Sequence, residues 1–242
     1  MDIRGRTAVI TGGGRRVGRS VSLALAAEGC NLAVHYNRSA DAALEVVAAA
    51  EAAGVGALAV GADLADAAAP EVIFDAAAVL GPPTLLVNSA SGFPADRLTD
   101  LNRTTWENTL AVSLSAPLFL ARELACRLDG ETQGAVVNIT DWRTARPYPD
   151  HLAYTVAKGG LDALTAAAAV VLAPSIRVNA VALGAILPPA GEGSQYLRDL
   201  AGSIPLRRVG GVEPVQEAVV FLAKADFITG ETIRVDGGAH LV

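Results

Sequence analysis

Short apolar runs recur along the chain, and most are followed by a stretch whose apolar residues fall on a helical spacing. The runs predict strands at Thr7–Thr11, Asn31–Tyr36, Ala57–Gly61, Thr84–Asn88, Ala135–Ile139, Arg177–Val181 and Thr232–Val235. Helices are predicted from the first turn to about Glu28, over Asp41–Ala53, near Pro70–Leu80, over Thr104–Leu128, over Ala153–Leu172 and from near Pro214. Gly81-Pro82-Pro83 separates one helix from the next strand, Pro174 stops another helix, and Glu213-Pro214 suits a helix start. Strand–helix alternation of this kind predicts an α/β fold: a doubly wound parallel sheet of about seven strands in a single domain over residues 1–242. Continuous apolar strands agree, because a parallel sheet is covered on both faces. Residues 187–205 interrupt the pattern with Pro188, Pro189, Gly191, Gly193 and Gly202, and read as a substrate loop with room for a short helix.

Composition narrows the picture modestly. The chain is 52% hydrophobic with only 5% aromatic residues, so small aliphatic side chains carry the core. A net charge of −6 offers no basic stripe for nucleic acid. No uninterrupted apolar run is long enough to suggest a membrane span, and Met1–Arg6 has no hydrophobic leader, so a cytoplasmic location is the default expectation. Cys30 and Cys126 lack metal-ligand spacing and read as buried free thiols. His35, His151 and His240 are too scattered to suggest a metal site.

The turn Thr11-Gly12-Gly13-Gly14-Arg15-Arg16-Val17-Gly18 lies between the first strand and the first helix. Glycines let a backbone approach a pyrophosphate closely, and a helix N-terminus offers free N–H groups and partial positive charge. With this turn the predicted sheet reads as a Rossmann fold. The second strand ends in His35-Tyr36-Asn37-Arg38-Ser39, where NAD binders usually carry an acid for the ribose hydroxyls. Arg38 and Ser39, with Arg16, suit a 2′-phosphate instead, so the expected cofactor is NADP(H). Asp63 is placed either to accept from the adenine amino group or to serve as a turn residue.

Taken together, the Thr-Gly-x-x-x-x-x-Gly turn, Asn88-Ser89-Ala90, Tyr154-x-x-x-Lys158, Arg177-Val178-Asn179 and Val235-Asp236-Gly237-Gly238 resemble the short-chain dehydrogenase/reductase family over nearly the whole chain. The spacing of four puts Tyr154 and Lys158 on one helix face, where an ammonium is expected to lower the phenol's pKa. The resemblance implies that both are catalytic and that Lys158 also contacts the nicotinamide ribose. It implies further cofactor contacts at Leu64, Asn88, Ser89, Ala90, Gly184 and Ile186, and a substrate contact at Leu187. The family's two long helices commonly build homotetramers, and Ala166–Ala169 would permit close helix approach there.

Two departures redirect the chemistry. Asp141 stands thirteen residues before Tyr154, where the family usually has a serine, and Ser113 stands where it has an asparagine. An aspartate at that position, Arg16 in the turn, His35-Tyr36-x-Arg38-Ser39 and Asn88-Ser89-Ala90-Ser91-Gly92-Phe93 resemble the pteridine reductase branch. That resemblance implies NADPH-dependent reduction of a pterin or dihydrofolate-like ring, with Asp141 in the catalytic set and Phe93 stacking the substrate. A small-molecule carbonyl reductase, such as a 3-oxoacyl-carrier-protein reductase, is the alternative. A cofactor-binding regulatory protein without turnover is a further one.

Overall fold

The computed structural model describes residues 1–189 and 193–242. Its strands are β1 (Thr7–Thr11), β2 (Asn31–Tyr36), β3 (Ala57–Gly61), β4 (Pro83–Asn88), β5 (Gly134–Asp141), β6 (Ile176–Leu183) and β7 (Thr232–Val235). They form one parallel sheet in the order β3-β2-β1-β4-β5-β6-β7. The order reverses between β1 and β4, where Thr11 pairs with Asn88, and ligands of such sheets bind outside the strand ends at this point.

The helices are α1 (Arg16–Ala27), α2 (Ala40–Ala52), α3 (Ala69–Ala77), α4 (Arg103–Leu110), α5 (Ala116–Arg127), α6 (Leu152–Val171), α7 (Ser194–Ala201) and α8 (Glu213–Lys224). Alternate strand residues feed two cores, as the pleat requires. Ala8, Ile10, Leu85, Val87, Val137 and Ile139 pack with Leu25 of α1, Val46 of α2 and Leu222 of α8. Val9, Leu86 and Val136 pack with Phe74 of α3 and Leu120 and Leu124 of α5.

Several boundaries differ from expectation. The predicted helix Thr104–Leu128 is α4 and α5 joined by a π-helical turn, Ala111–Ser115. The composite helix Arg103–Arg127 is long and apolar enough to cross a membrane on length and composition alone. Here Leu120 and Leu124 are instead spent on the core beneath the sheet. Strand β5 runs two residues further than predicted, which makes Asp141 its last residue. Cys30 is buried as expected, but Cys126 is exposed: it lies off the stripe Pro117, Leu120, Ala121 and Leu124 that α5 buries. The loop 187–205 does carry a short helix, α7; residues 190–192 lie outside the described part.

Candidate active site

A cleft of about 420 Å³ opens over the β1/β4 switch point. Gly12, Arg15, Arg16, Val17 and Gly18 form one wall, and Tyr154 and Lys158 stand at the other end. The turn's tightness demands its glycines: a Cβ on Gly18 would lie 2.2 Å from the Gly12 carbonyl oxygen. Gly12 has φ +63° and faces Ala90, so the backbone is bare where a pyrophosphate would approach. Thr11 Oγ1 accepts the N–H groups of Ser89 and Ala90, each at 3.0 Å, and so ties the turn to the segment after β4.

Arg16 adopts the left-handed region at φ +53°, a conformation that favours glycine. Its guanidinium donates to the carbonyl of Pro188, bridging the phosphate turn to the substrate loop. Arg15 donates to the Ser39 hydroxyl at 3.4 Å. Two positive side chains and the free N-terminus of α1 thus gather at one end of the cleft, and this set fits the phosphates of a dinucleotide.

Other expected cofactor residues divide into two groups. His35, Asn37, Leu64, Ser89 and Ala90 line the cleft. His35 also braces the turn: its Nδ1 accepts from Gly12 N at 3.2 Å and its Nε2 lies 3.0 Å from the Ala62 carbonyl. Burial lowers its pKa, so the ring is neutral, with Nε2 the donor. Tyr36, Arg38, Ser39, Asp63, Asn88, Gly184 and Ile186 do not line the cleft. Asp63 is exposed and accepts from Ala65 N at 3.0 Å, the turn role that was one of its two readings. Asn88 is buried and donates to Asn138 Oδ1 at 2.8 Å, which ties β4 to β5. Ile186 lines a second cavity beside Ile204 and Gly237. The cleft also contains Ser91, Gly92, Val112, Ile139, Thr140 and Leu183, which the sequence reading did not assign to the cofactor. Pleat alternation separates Thr140 from Asp141 without removing it from the cleft.

The three expected catalytic residues come together. Tyr154 and Lys158 lie on the buried face of α6, and Asp141 is at the end of β5. The Tyr154 hydroxyl donates to Asp141 Oδ2 at 2.8 Å. Lys158 Nζ donates to the Ile139 carbonyl at 2.6 Å and lies 5.7 Å from the Tyr154 ring centroid. Ser113, inside the π-helical turn, shares a 3.1 Å hydrogen bond with Ser91 Oγ. π-helical turns of this sort are frequent at functional sites.

The charges do not arrange themselves as a tyrosine–lysine pair alone suggests. Burial, followed by the Asp141 carboxylate, raises the Tyr154 phenol well above its ordinary value. The expectation of a lowered phenol pKa is therefore overturned. Burial also raises Asp141, against opposing hydrogen bonds from Arg143 N and Tyr154 and the charges of Arg143 and Lys158. Burial pushes Lys158 down to about 8. The site thus favours neutral acids and disfavours phenolate.

Phe93 stands beside these groups. His151 stacks on it with centroids 3.7 Å apart, and Tyr154 meets it edge-on at 4.8 Å. One ring face is therefore already covered. His151 Nδ1 donates to the Pro94 carbonyl at 2.7 Å, and Asp96 Oδ1 accepts from Ala153 N at 3.1 Å. These contacts latch the segment carrying Phe93 onto the first turn of α6.

A phosphate-cradling turn and a Tyr–Lys–Asp cluster at the switch point of a doubly wound sheet define a Rossmann-type oxidoreductase. The model described as enoyl-(acyl carrier protein) reductase matches residues 14–240. The chain is 34% identical to the 3-oxoacyl-[acyl-carrier-protein] reductase FabG of Staphylococcus epidermidis, covering 98% of this chain and 99% of the relative. It is also 34% identical to the L-xylulose reductase of Bos taurus, covering 98% of each. A crystal structure of FolM alternative dihydrofolate reductase 1 from Brucella canis, complexed with NADP, superposes with a TM-score of 0.93 at 33% identity, covering 100% of this chain and 97% of that one. Its counterpart from Brucella suis, also with NADP, gives 0.94 at 33% identity, covering 99% and 97%. The chain belongs to the short-chain dehydrogenase/reductase family.

Proposed function

We propose that this protein, one domain over residues 1–242, is an NADPH-dependent reductase of a pterin or dihydrofolate-like ring. The observation that carries the reading is the hydrogen bond from Tyr154 to Asp141, in place of a tyrosine–serine pair. NADP(H) is supported by the missing acid after β2, by Arg15 and Arg16 in the cleft wall and the exposed Arg38 just after β2, and by the NADP of the Brucella FolM structures. When bound, the reduced nicotinamide supplies a hydride to the carbon of a carbon–nitrogen double bond.

The chain's own residues handle the proton. While Asp141 is ionised, the phenol proton of Tyr154 is committed to its carboxylate. When Asp141 is protonated, it becomes the donor to the phenol oxygen, and the phenol proton is free to turn into the cleft. Tyr154 then gives its proton to the substrate nitrogen and takes one from Asp141, which is reprotonated from solvent. Burial keeps Asp141 protonated to higher pH than an ordinary carboxylate. Lys158 anchors β5 to α6 and presents its ammonium to the nicotinamide ribose. Phe93 and Leu187 border the substrate.

A second reading, reduction of a β-ketoacyl thioester, is favoured by the identity to FabG over nearly the full length. The two readings are tested by following NADPH oxidation with dihydropterin, dihydrofolate and a β-ketoacyl thioester. Turnover of a dihydropterin or dihydrofolate well above the thioester supports the first; the reverse order overturns it. The exposed apolar side chains Leu118 and Phe119 on α5, and Val156 and Val170 on α6, support a homo-oligomer, and the family resemblance implies a tetramer. Light scattering on the purified protein measures its mass.

A further inference from the structure

Tyr154 is the third residue of α6, so its placement depends on how that helix begins. The first N–H groups of a helix have no acceptor within it and take a cap from elsewhere. The residue that ordinarily supplies one, here His151, makes no side-chain cap and lies in the left-handed region at φ +55°. Its ring is turned away, stacked on Phe93 and bonded to the Pro94 carbonyl. The cap comes instead from another segment: Asp96 Oδ1 accepts from Ala153 N at 3.1 Å. Asp96 is only 7% exposed and makes no ion pair among the described residues, and its Oδ2 is buried there without a hydrogen-bond partner. Burying a carboxylate in this way is costly, and the N–H groups and partial positive charge of a helix start offset that cost.

We infer that Asp96 is a positioning residue, which sets the Tyr154 phenol in place by capping α6 one residue before it. This rests on Tyr154 being the proton donor of the reading above, and it holds for a ring or a thioester substrate alike. The segment that carries Asp96 leaves β4 at Ser89 and Ala90, whose N–H groups are held by Thr11 Oγ1 beside the phosphate turn. Residues 89–96 are thus pinned at both ends, to the cofactor turn and to the start of α6. Lys158, about one turn further along, has its own anchor in the Ile139 carbonyl at 2.6 Å. Losing the cap therefore loosens the phenol and not the ammonium. The phenol has to hold its 2.8 Å bond to Asp141 and face the substrate, and a displacement of about 1 Å at a reacting group costs up to about 100-fold in rate.

The test compares Asp96→Leu, which removes the acceptor, with Asp96→Asn, which keeps a capping oxygen, and with Tyr154→Phe. Each is assayed well below its melting temperature, with whichever of dihydropterin, dihydrofolate and a β-ketoacyl thioester the wild type reduces fastest. NADPH affinity is measured separately by cofactor fluorescence. Expected for Asp96→Leu is a kcat at least about tenfold lower, with NADPH affinity within about twofold of the wild type. Asp96→Asn is expected to keep kcat within about threefold. Amide hydrogen exchange should quicken in the first turn of α6 in Asp96→Leu and stay unchanged beyond Lys158. Should Asp96→Leu not fold, Asp96→Ala takes its place in the same comparison. An unchanged kcat in Asp96→Leu, an equal loss in Asp96→Asn, or a loss of NADPH affinity in step with kcat overturns the inference and leaves the role of Tyr154 intact. Full turnover by Tyr154→Phe, or no turnover of any of the three substrates by the wild type, overturns the proton-donor reading itself.

Discussion

The phenol of Tyr154 donates a 2.8 Å hydrogen bond from α6 to the carboxyl of Asp141 on β5, and the two groups act on each other with opposite sign: the carboxylate makes the phenol harder to ionise, whereas the phenol's hydrogen bond makes the carboxyl easier to ionise. Asp141 disfavours the Tyr154 phenolate, while burial disfavours both anions. Proton delivery from such a pair begins with a neutral acid rather than with a phenolate.

Tyr154→Phe removes the only phenol among the described residues that line the cleft. Turnover is expected to fall at least about 100-fold, the usual scale for a lost proton donor. The NADPH dissociation constant should change little, and titrating cofactor fluorescence separates the two effects.

Asp141→Ser exchanges a carboxyl for the hydroxyl that suits a ketone oxygen. Without the adjacent charge, the Tyr154 phenol returns toward its ordinary value. The ratio of dihydropterin to β-ketoacyl thioester kcat/KM should fall about tenfold or more. An unchanged ratio would deny Asp141 a part in substrate choice.

Activity should decline as pH rises through the raised pKa of Asp141, because only its protonated form frees the phenol proton. The same sign governs folding. A group whose pKa is raised on folding contributes stability that is fully present below its unfolded value and is lost as pH rises through its folded value. Asp141→Asn should remove the declining limb from the kcat/KM profile.

Lys158 carries the opposite sign. Its pKa falls from 10.5 to about 8 on burial, so its contribution to stability is lost as pH falls from the first value to the second. Below pH 8 the buried ammonium costs up to about 3 kcal/mol. Lys158→Met should melt higher than the wild type at pH 7, with the gap narrowing above pH 8. Thermal scans without cofactor across pH 7–10 measure it.

Arg38 is exposed and makes no side-chain hydrogen bond or ion pair among the described residues, consistent with a side chain kept for a ligand phosphate. Arg38→Ala should raise KM for NADPH about tenfold and leave KM for NADH nearly unchanged. Parallel effects on both cofactors would place Arg38 away from the 2′-phosphate.

Much of this was legible in the chain itself. Apolar runs, glycine and proline breakers and helical spacing located all seven strands, because those signals act over a few residues. Gly12 and Gly18 were readable for the same reason: a tight turn excludes Cβ locally. So was the shared face of Tyr154 and Lys158, since four residues make about one helical turn. Local spacing was silent on burial. The lowered phenol pKa expected from the ammonium fails because desolvation and a carboxylate from another strand outweigh it. Likewise, the His151 stack on Phe93 joins residues 58 positions apart. The sequence by itself determined which groups are present and which helix faces they share. Only the tertiary structure decided their protonation and their company, because both depend on solvent exclusion and on contacts between distant segments.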